Sequence, residues 1–334
     1  MIAEAVVARG LLPDPLLRAA ARASCALRLR RERRRGAGAV EAFAAELARG
    51  PIAEATAAAN AQHYELPAEL FGLVLGPRRK YSGCYWPAGV ETLAAAEEAM
   101  LALTCERAGI EDGMEILDLG CGWGALAGWL AERYPRCRIL AVSNSAVQRA
   151  YVESLGLERV ETVTADVNVF DPGRRFDRVV SVEMLEHARN WEELLARMAG
   201  WLRPDGRAFV HVFAHVRHAY AFEDTWLARR FFTGGIMPSA DLLTRFPRDL
   251  AVVRRWTVGG AHYERTANAW LRNLDRERDR AQALLGSAAA LHEWRAFLVA
   301  CAELFGYRGG REWVVSHSLL QPRAGRRGVR APAV

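Results

Sequence analysis

Between residues 114 and 214 the chain alternates short apolar runs with amphipathic segments, and this alternation constrains the fold more than any other feature. Apolar strands that alternate with amphipathic helices form βαβ units, in which helices cover both faces of a parallel sheet. The sequence therefore predicts an α/β fold with a mostly parallel sheet, and ligands of such sheets bind at the carboxyl ends of the strands. The predicted strands lie in MEILDLG (114–120), CRILAVSN (137–144), VETVTADV (160–167), FDRVVSVEML (176–185) and GRAFVHVFA (206–214).

Helical regions are predicted on both sides of this core. Residues 1–112 are rich in alanine and carry helical patterning, broken by prolines and by irregular stretches such as YSGCYW (81–86). Beyond residue 215 the sequence predicts a helical insertion (219–246), an exposed, charged helix (264–286) and two further strands (252–258 and 312–320). We divide the chain into an amino-terminal helical, basic arm (1–60), a second helical region (61–113), the sheet core (114–215), a helical cap with the last strands (216–322) and a disordered tail (323–334).

A run of basic residues, RLRRERRR (28–35), carries part of the net charge of +6. Three interpretations compete for this run: a solvated helix face or tether, a surface that makes weak contact with an anionic membrane, and a nucleic-acid contact. Because no nucleic-acid-binding signature accompanies the run, we expect no nucleic-acid partner. The sequence carries no signal for the oligomeric state.

The composition predicts a soluble, cytoplasmic protein. Hydrophobic residues make up 51% of the chain and charged residues 25%, as in globular domains. No apolar stretch approaches the roughly 18 residues that span a bilayer, and the amino terminus lacks the pattern of a signal peptide. Six cysteines without a CxxC pair argue against a zinc site or a disulfide framework and for reduced thiols in a cytosol, so we expect no metal. The abundance of Ala and Arg over Ile and Lys favours a bacterial source with a GC-rich genome.

The segment DLGCGWG (118–124) places three glycines directly after the first predicted strand and at the start of a helix. Glycine there lets the backbone turn tightly into the helix and approach a ligand closely. The pattern also fits a loose dinucleotide-binding motif, but such a site needs an acidic residue at the end of the second strand. That strand ends in AVSNS (141–145) without a carboxylate, whereas Asp118 precedes the first glycine and Asp166 follows the third strand.

This combination resembles the class I S-adenosylmethionine (SAM) methyltransferases, a family with a Rossmann-like sheet, and it implies SAM as the cofactor. The resemblance implies that the glycine loop approaches the methionine part of SAM and that the later strand ends hold the ribose and adenine. AVSNS departs from the acid that usually binds the ribose in that family, so the ribose ligand stays open. The implied cofactor-binding residues, in a site that residues 61–113 complete, are Tyr81, Ser82, Asp118, Gly120, Gly122, Gly124, Ser143, Asn144, Gln148, Asp166 and Val167.

Six motifs in order narrow the resemblance to one subfamily, and together they cover nearly all of residues 60–320. The subfamily contains the cyclopropane fatty acid synthases and, more similar to this chain, the coclaurine N-methyltransferases. Both kinds of enzyme transfer a methyl group from SAM by direct displacement, but to different nucleophiles. The motifs are HYELPAELFGLVLGPRRKYSGCYW (63–86), LDLGCGWG (117–124), SVEMLEH (181–187), RRFFTGGIMPS (229–239), HYERTANAW (262–270) and ELFGYRGGREW (303–313).

In the cyclopropane synthases a bound bicarbonate removes a proton from the lipid cation, and it is held by a Cys of the YSC motif, a Glu, a His and a Tyr. The resemblance implies that Glu186, His211 and Tyr263 match three of these four ligands. The cysteine position is Gly83, and Cys84 follows one residue later. In an extended segment this shift points the side chain to the opposite side, so we expect the Cys84 thiol to be a small packed group and not a bicarbonate ligand.

An N-methyltransferase needs different groups, because an amine must be neutral to attack and a nearby base must accept its proton. The turn SVEMLEH follows the fourth strand, and the resemblance assigns amine binding and proton removal to its Glu and His residues. The alternative is that Glu183 binds cofactor or caps the next helix and that His187 makes a structural hydrogen bond. The predicted catalytic residues are Glu183, Glu186, His187, His211 and Tyr263.

Aromatic side chains fit either reaction, because they could surround a sulfonium or ammonium ion by cation–π contact. Each of them is also a candidate for the core. His215 and His218 make no metal site with anything nearby and are interpreted as surface or substrate-cap residues. The predicted substrate pocket consists of Trp86, Phe213, Phe231 and Phe232.

We therefore expect a SAM-dependent methyltransferase that methylates nitrogen on a small aromatic or heterocyclic amine. The alternative is cyclopropanation or carbon methylation of a lipid acyl chain, for which the basic run would suit docking on anionic phospholipid. A third interpretation is a degenerate cofactor-binding scaffold that acts through its basic arm, and the intact glycine loop argues against it.

Overall fold

The computed structural model describes residues 6–53, 66–222 and 226–323. Its centre is a seven-stranded sheet of order β3-β2-β1-β4-β5-β9-β8, and a separate two-stranded ribbon joins β6 to β7. Strands β1 to β5 run parallel, whereas β9 pairs antiparallel with β5 and β8 pairs antiparallel with β9. The predicted α/β class with a mostly parallel sheet is confirmed. The strands are β1 (Glu115–Leu119), β2 (Arg138–Ser143), β3 (Val160–Thr164), β4 (Phe176–Val182), β5 (Leu202–His215), β6 (Tyr220–Ala221), β7 (Ile236–Met237), β8 (Leu250–Val258) and β9 (Trp313–Pro322).

Helices cover both faces of this sheet, as neighbouring residues of its central strand show. Ile116 and Leu117 are both fully buried, but they belong to different apolar clusters on opposite faces, because successive side chains of a strand alternate in direction. The helices described are α1 (Asp14–Arg34), α2 (Ala39–Glu46), α3 (Ala68–Val74), α4 (Leu93–Ala108), α5 (Ala125–Arg133), α6 (Ala146–Ser154), α7 (Trp191–Trp201), α8 (Trp226–Phe231), α9 (Gly260–Arg276), α10 (Arg278–Leu285) and α11 (Ala288–Gly306).

The region from 219 to 246 is less helical than predicted. It contains the short helix α8, but also the β6–β7 ribbon and a 3₁₀ turn, Leu242–Arg245. The backbone of Tyr220 pairs with that of Met237, so the segment folds back on itself as a ribbon across α8. Local helical patterning did not reveal this pairing, because the two strands have only two residues each.

The charged segment from 264 to 286 is also different from the prediction. It forms two helices, α9 and α10, and one face of α9 is buried. Thr266, Trp270 and Leu274 recur at a spacing of four residues along that face, which is the period of an amphipathic helix. The arginines of this segment lie on the opposite, exposed face of the helix, which is why the sequence predicted an exposed helix.

Helix α1 packs against α11, so the basic run belongs to a docked helix. The Arg18 guanidinium donates to the Glu303 carboxylate over 2.6 Å, and the Arg295 guanidinium binds the carboxylate of Asp14. Within the run, the buried Glu32 carboxylate accepts hydrogen bonds from the arginines at 28 and 35.

The five-region division remains a prediction, and residues 324–334 of the predicted tail lie outside the described residues. Within the described ranges, no helix combines the length and the apolar character that crossing a membrane requires.

Candidate active site

A cavity opens at the carboxyl ends of β1, β2 and β4. The chain runs from β1 outward to β2 and β3 and then returns to β4 on the other side of β1. This reversal is the switch point at which open α/β sheets bind ligands. The polar residues of the cavity wall are Arg79, Lys80, Tyr81, Ser82, Thr104, Asp118, Ser143, Asn144, Gln148, Glu183, His187 and Thr233.

The glycine loop forms one side of the cavity. Gly120 and Gly122 have φ angles of +86° and +54°, in the left-handed region that residues with a Cβ rarely adopt. A Cβ on Gly120 would lie 2.7 Å from the side chain of Met184, whereas one on Gly122 would point into open space. The loop therefore brings its backbone to the edge of the cavity with no side chain in the way.

Among the buried polar atoms in the cavity wall that have no hydrogen-bond partner within the described chain, two belong to side chains predicted to bind the cofactor. They are one carboxylate oxygen of Asp118 and the amide nitrogen of Gln148. The Ser143 hydroxyl donates to the other amide atom of Gln148 over 2.7 Å, which fixes the amide so that its nitrogen is left over. Burial raises the pKa of Asp118 to about 7. Unsatisfied buried polar groups in a native protein need an explanation, and a ligand that carries an ammonium group and hydroxyls would satisfy both.

Gly124 and Asp166 do not line the cavity, although the sequence predicted cofactor contacts for both. Gly124 is the residue before α5, and a Cβ there would lie 2.8 Å from the side chain of Val152. Asp166 accepts hydrogen bonds from the backbone and side chain of Asn168, so its carboxylate holds the turn after β3. The neighbouring Val167 does line the cavity, as predicted.

Glu183 is the centre of a second polar cluster in the same cavity. One of its carboxylate oxygens accepts from the Gly83 backbone N–H over 2.9 Å and from His211 Nε2 over 3.2 Å. The other accepts from the Tyr263 hydroxyl over 2.7 Å. Glu183 follows β4 directly and has a φ of +48°, an unfavourable value for a residue with a side chain. The turn thus holds a strained backbone that aims this carboxylate at three donors.

The electrostatics of the cluster favour a carboxylate that is a stronger base than usual. Burial raises the pKa of Glu183, and this effect is opposed by the Lys80 ammonium and by the hydrogen bonds from Gly83 and Tyr263. Lys80 is itself buried, and its Nζ donates to the Gly83 carbonyl over 2.7 Å. Burial lowers the pKa of Lys80, whereas Glu183 raises it.

The sequence comparison grouped Glu186 with His211 and Tyr263, whereas in the structure the hydrogen bonds of His211 and Tyr263 go to Glu183. Glu186 is almost fully buried behind the cavity wall, and its Oε1 accepts from the backbone N–H of Phe213 over 2.7 Å. Burial, together with the neighbouring Glu183 carboxylate, raises the pKa of Glu186 well above the usual carboxyl range. Glu183 is the carboxylate that contacts His211 and Tyr263, and those two residues lie behind it and do not themselves line the cavity.

His187 lines the cavity beside Glu183, as predicted. Burial lowers the pKa of His187 to about 4, against the opposing attraction of the Glu183 carboxylate. The imidazole is therefore neutral at pH 7 and can accept a hydrogen bond from a ligand.

Position 83 is a glycine, and not a cysteine, for a steric reason. A Cβ on Gly83 would lie 2.8 Å from the Tyr263 ring, and that ring is held by stacking on Phe305, with centroids 4.0 Å apart. The Cys84 side chain points the other way and packs with Trp86 in a small apolar cluster. The prediction that Cys84 is a packed residue is confirmed.

Comparison with known proteins identifies the family. The family model described as mycolic acid cyclopropane synthetase matches residues 53–311, more than half of the chain. The chain belongs to the mycolic acid cyclopropane synthetase family. It is 36% identical over 281 residues to (S)-coclaurine N-methyltransferase of Thalictrum flavum subsp. glaucum, and the match covers 78% of each protein.

A second relative and a solved structure are also similar. The cyclopropane-fatty-acyl-phospholipid synthase of Escherichia coli K12 is 32% identical over 216 residues, which cover 63% of this chain and 54% of that protein. A crystal structure of coclaurine N-methyltransferase bound to N-methylheliamine and S-adenosylhomocysteine has a TM-score of 0.91 and 34% identity, and covers 95% of this chain and 98% of that one. The predicted enzyme class and cofactor are thereby confirmed: this family member is a SAM-dependent methyltransferase.

The unsatisfied atoms of the cavity fit SAM. Asp118 would accept a hydrogen bond from the ammonium group of the methionine part of SAM. Gln148 would donate to the ribose hydroxyls, which have no acidic partner in the segment AVSNS (141–145). SAM supplies an electrophilic methyl group on a sulfonium ion.

We expect the affinity for SAM to rise with pH up to about 7, because Asp118 ionises only as the pH approaches its pKa of about 7. Below that pH the Kd should increase about tenfold for each unit by which the pH falls. Calorimetric titration across this range measures the effect. Asp118→Asn should bind SAM weakly and without this pH dependence, and a wild-type Kd that stays constant below pH 7 would contradict the assignment.

Two of the four aromatic residues predicted for the substrate pocket are core residues of this family member. The Trp86 ring nitrogen donates to the hydroxyl of Thr266 over 2.9 Å, away from the cavity. Phe231 is almost fully buried and stacks on Phe297, with centroids 4.5 Å apart. Neither lines the cavity.

Phe213 and Phe232 lie one layer behind the cavity wall. Their rings are in edge-on contact, and both also contact Phe222. Thr233, which follows Phe232, does line the cavity. In this segment the aromatic side chain of Phe232 packs behind the wall, and Thr233 is the residue that faces the cavity.

His215 is also misplaced by the sequence interpretation. It is 1% exposed, and its Nδ1 accepts from the backbone N–H groups of Arg217 and His218, so it is not a surface residue. His218 is half-buried beside it. In the part of the chain that the structure describes, no group of three or more His, Cys, Asp and Glu side chains is arranged to hold a metal ion.

Three residues around Glu183 were missed: Lys80, Arg107 and His317. The only signal in the sequence was His317, a single imidazole within the apolar strand EWVVSHSLL (312–320). Lys80 and Arg107 have no distinguishing local pattern, because what matters is their burial and their partners in the fold.

Proposed function

We propose that this protein transfers a methyl group from SAM to the nitrogen of a small aromatic or heterocyclic amine. One observation carries the proposal: the Glu183 carboxylate occupies the space between the Gly83 N–H, His211 and Tyr263 at the cavity wall. A fixed anion there attracts a cationic amine and can accept its proton. The similarity to coclaurine N-methyltransferase supports the same reaction class.

The reaction requires a neutral amine with its lone pair directed at the methyl group. Glu183 would take the proton from the incoming ammonium ion, and its raised pKa brings its basicity closer to that of the amine. The neutral His187 imidazole would accept a second N–H hydrogen bond and orient the nitrogen. After transfer the product is again a cation, and the Glu183 carboxylate balances that charge once it has released the proton it took to solvent.

The lipid alternative has less support in the site itself. A cyclopropane synthase needs a bicarbonate bound among a Cys, a Glu, a His and a Tyr. Here the His211 and Tyr263 donors are both engaged by Glu183, and the Tyr263 ring lies where a Cys side chain at position 83 would be. The protein thus carries its own carboxylate in the place where that reaction uses a bound anion.

The experiment that tests the proposal is a comparison of acceptors with labelled SAM. One arm offers a panel of secondary aromatic and heterocyclic amines, and the other offers vesicles of anionic, unsaturated phospholipid, each with and without added bicarbonate. We expect transfer to amines only, at a rate that bicarbonate does not change. Transfer to the lipid arm, or a rate that depends on bicarbonate, would overturn the proposal.

We also propose a weak membrane contact and a cytosolic location, in a bacterial source. The exposed arginines of the run 28–35 support the contact, because they follow Leu16 and Leu27, two of the most exposed large apolar residues on α1. Sedimentation of the protein with the vesicles of the same assay measures this contact, and its absence at low salt would rule it out. The six free cysteines support a reducing compartment, and the composition supports a GC-rich bacterial genome.

A further inference from the structure

A series of three hydrogen bonds leads from Arg107 on α4 to Glu183. Arg107 Nη1 lies 2.8 Å from His317 Nδ1, and His317 Nε2 lies 3.0 Å from His211 Nδ1. His211 Nε2 then lies 3.2 Å from a carboxylate oxygen of Glu183. Both histidines are completely buried. These hydrogen bonds link the half-buried guanidinium of Arg107 to the carboxylate of Glu183 through the imidazoles of His317 and His211.

The fold brings these groups together across three separate elements. His211 on β5 and His317 on β9 are direct partners in the antiparallel ladder, so their side chains lie on the same face within contact distance. Arg107 lies in the last turn of α4, and its guanidinium is 5.2 Å from the ring centroid of Trp256, the β8 partner of His317.

Arg107 and Glu183, the groups at the two ends of this hydrogen-bond series, fix the direction of each hydrogen bond between them. A guanidinium can only donate and an ionised carboxylate can only accept. His317 Nδ1 must therefore be the acceptor from Arg107, which leaves the His317 proton on Nε2. That proton is donated to His211 Nδ1, and the proton of His211 is likewise left on Nε2, where it points to Glu183.

Both imidazoles are neutral, so each ring carries a proton on only one of its two nitrogens. Burial lowers the pKa of both His211 and His317 well below the usual value, and the positive charges of Arg107 and Lys80 lower it further. In the opposite tautomer, the lone pair of His211 Nε2 would face the Glu183 oxygen, and the two acceptors would repel each other.

We infer that Arg107 and His317 are positioning residues for methyl transfer, which lock His211 as an Nε2–H donor and so hold the Glu183 carboxylate against the cavity. The inference rests on the proposed role of Glu183 as the base. Neither residue lines the cavity, so both act through His211.

The direct test is nitrogen NMR of the histidine rings in the full-length protein, with signals assigned by single His→Gln variants. In the wild type, His211 and His317 should both be neutral and protonated on Nε2. Arg107→Met removes one of the two groups that set this order and leaves the Glu183 carboxylate as the other, so a measurable fraction of the Nδ1–H tautomer should appear for both rings. Wild-type rings protonated on Nδ1, or tautomers unchanged by Arg107→Met, would overturn the inference.

Kinetics give the second readout. Arg107→Met should lower kcat about 10- to 100-fold, the range expected for one hydrogen bond to a charged group, with KM for SAM unchanged. Added guanidinium ion should restore part of the lost rate in Arg107→Gly, which a simple packing role would not allow. The matched control is Arg254→Met, because Arg254 lies 4.9 Å from the same Trp256 ring but outside the chain of hydrogen bonds.

The outcomes separate this inference from the proposed function. If Arg107→Met changes the tautomers but leaves kcat unchanged, the positioning role is wrong. Replacing Glu183 itself tests the base directly and does not depend on the histidines. If Glu183→Gln loses activity while Arg107→Met stays fully active, the inference is wrong and the proposed function is still supported.

Discussion

Glu183→Gln is expected to lower kcat/KM for the amine about 10²- to 10⁴-fold, the usual contribution of a general base. The amide has the same shape as the carboxylate, so its oxygen can still accept from Gly83 and His211, and its nitrogen can donate to the Tyr263 hydroxyl. What is lost is the negative charge and the ability to take a proton. Steady-state kinetics across pH measure the effect.

The pH profile distinguishes a base from a binding residue. The wild-type rate should rise with pH as Glu183 ionises, and this rise should occur above the usual carboxyl range because burial raises the pKa of Glu183. Glu183→Gln should lack that rise, while calorimetry should show an unchanged affinity for SAM. Glu264→Gln is the matched control, since it alters the neighbour of Tyr263 on α9 outside the cavity wall. An active Glu183→Gln variant, or an equal loss in the control, would contradict the assigned role.

Gly83→Cys should cost both stability and turnover. The new Cβ would lie 2.8 Å from the Tyr263 ring, which cannot retreat because it stacks on Phe305. Overpacking of this kind destabilises proteins by about 1–3 kcal/mol. Displacing the ring also weakens the Tyr263 hydrogen bond to Glu183, so we expect kcat to fall by roughly tenfold or more. Added bicarbonate should not restore the rate.

A double-mutant cycle tests the steric explanation. Combining Gly83→Cys with Tyr263→Ala removes the ring that the new side chain meets, so the double variant should be more stable than the sum of the two single effects predicts. Denaturant unfolding measures all four corners of the cycle. Cys84→Ala serves as the control, because its side chain packs in a separate cluster away from Tyr263. Additive effects, or bicarbonate-dependent activity in Gly83→Cys, would show that this explanation is wrong.

The sheet could be predicted from the sequence because its signal is local. Each of the first five strands is a short apolar run, and the observed strands fall at or within a few residues of the predicted positions. The antiparallel insertion of β9 between β5 and β8 could not be predicted, since the strand pattern says nothing about its partners. The buried face of α9 was missed because charged residues are interleaved with the apolar positions along the sequence.

The site was predictable as a set of residues but not as an arrangement. SVEMLEH contains two glutamates three positions apart, and both were reasonable partners for His211 and Tyr263. The choice between them depends on the backbone of Glu183, whose φ of +48° turns one carboxylate into the cavity and leaves Glu186 behind the wall. Arg107 and His317 lie 210 residues apart, and only the tertiary structure brings them together.

The docking of α1 on α11 has a consequence for biosynthesis. Arg18 and Glu303, which join the two helices, are separated by 285 residues. At the usual speed of translation, roughly 15 to 60 seconds pass between the synthesis of the first and that of the second. Through that interval the apolar side chains of Cys25 and Leu29 have no covering surface, because their neighbours in the finished protein belong to the later part of the chain. Helix α1 thus leaves the ribosome long before its partner α11, and the nascent protein offers chaperones a long-lived hydrophobic target.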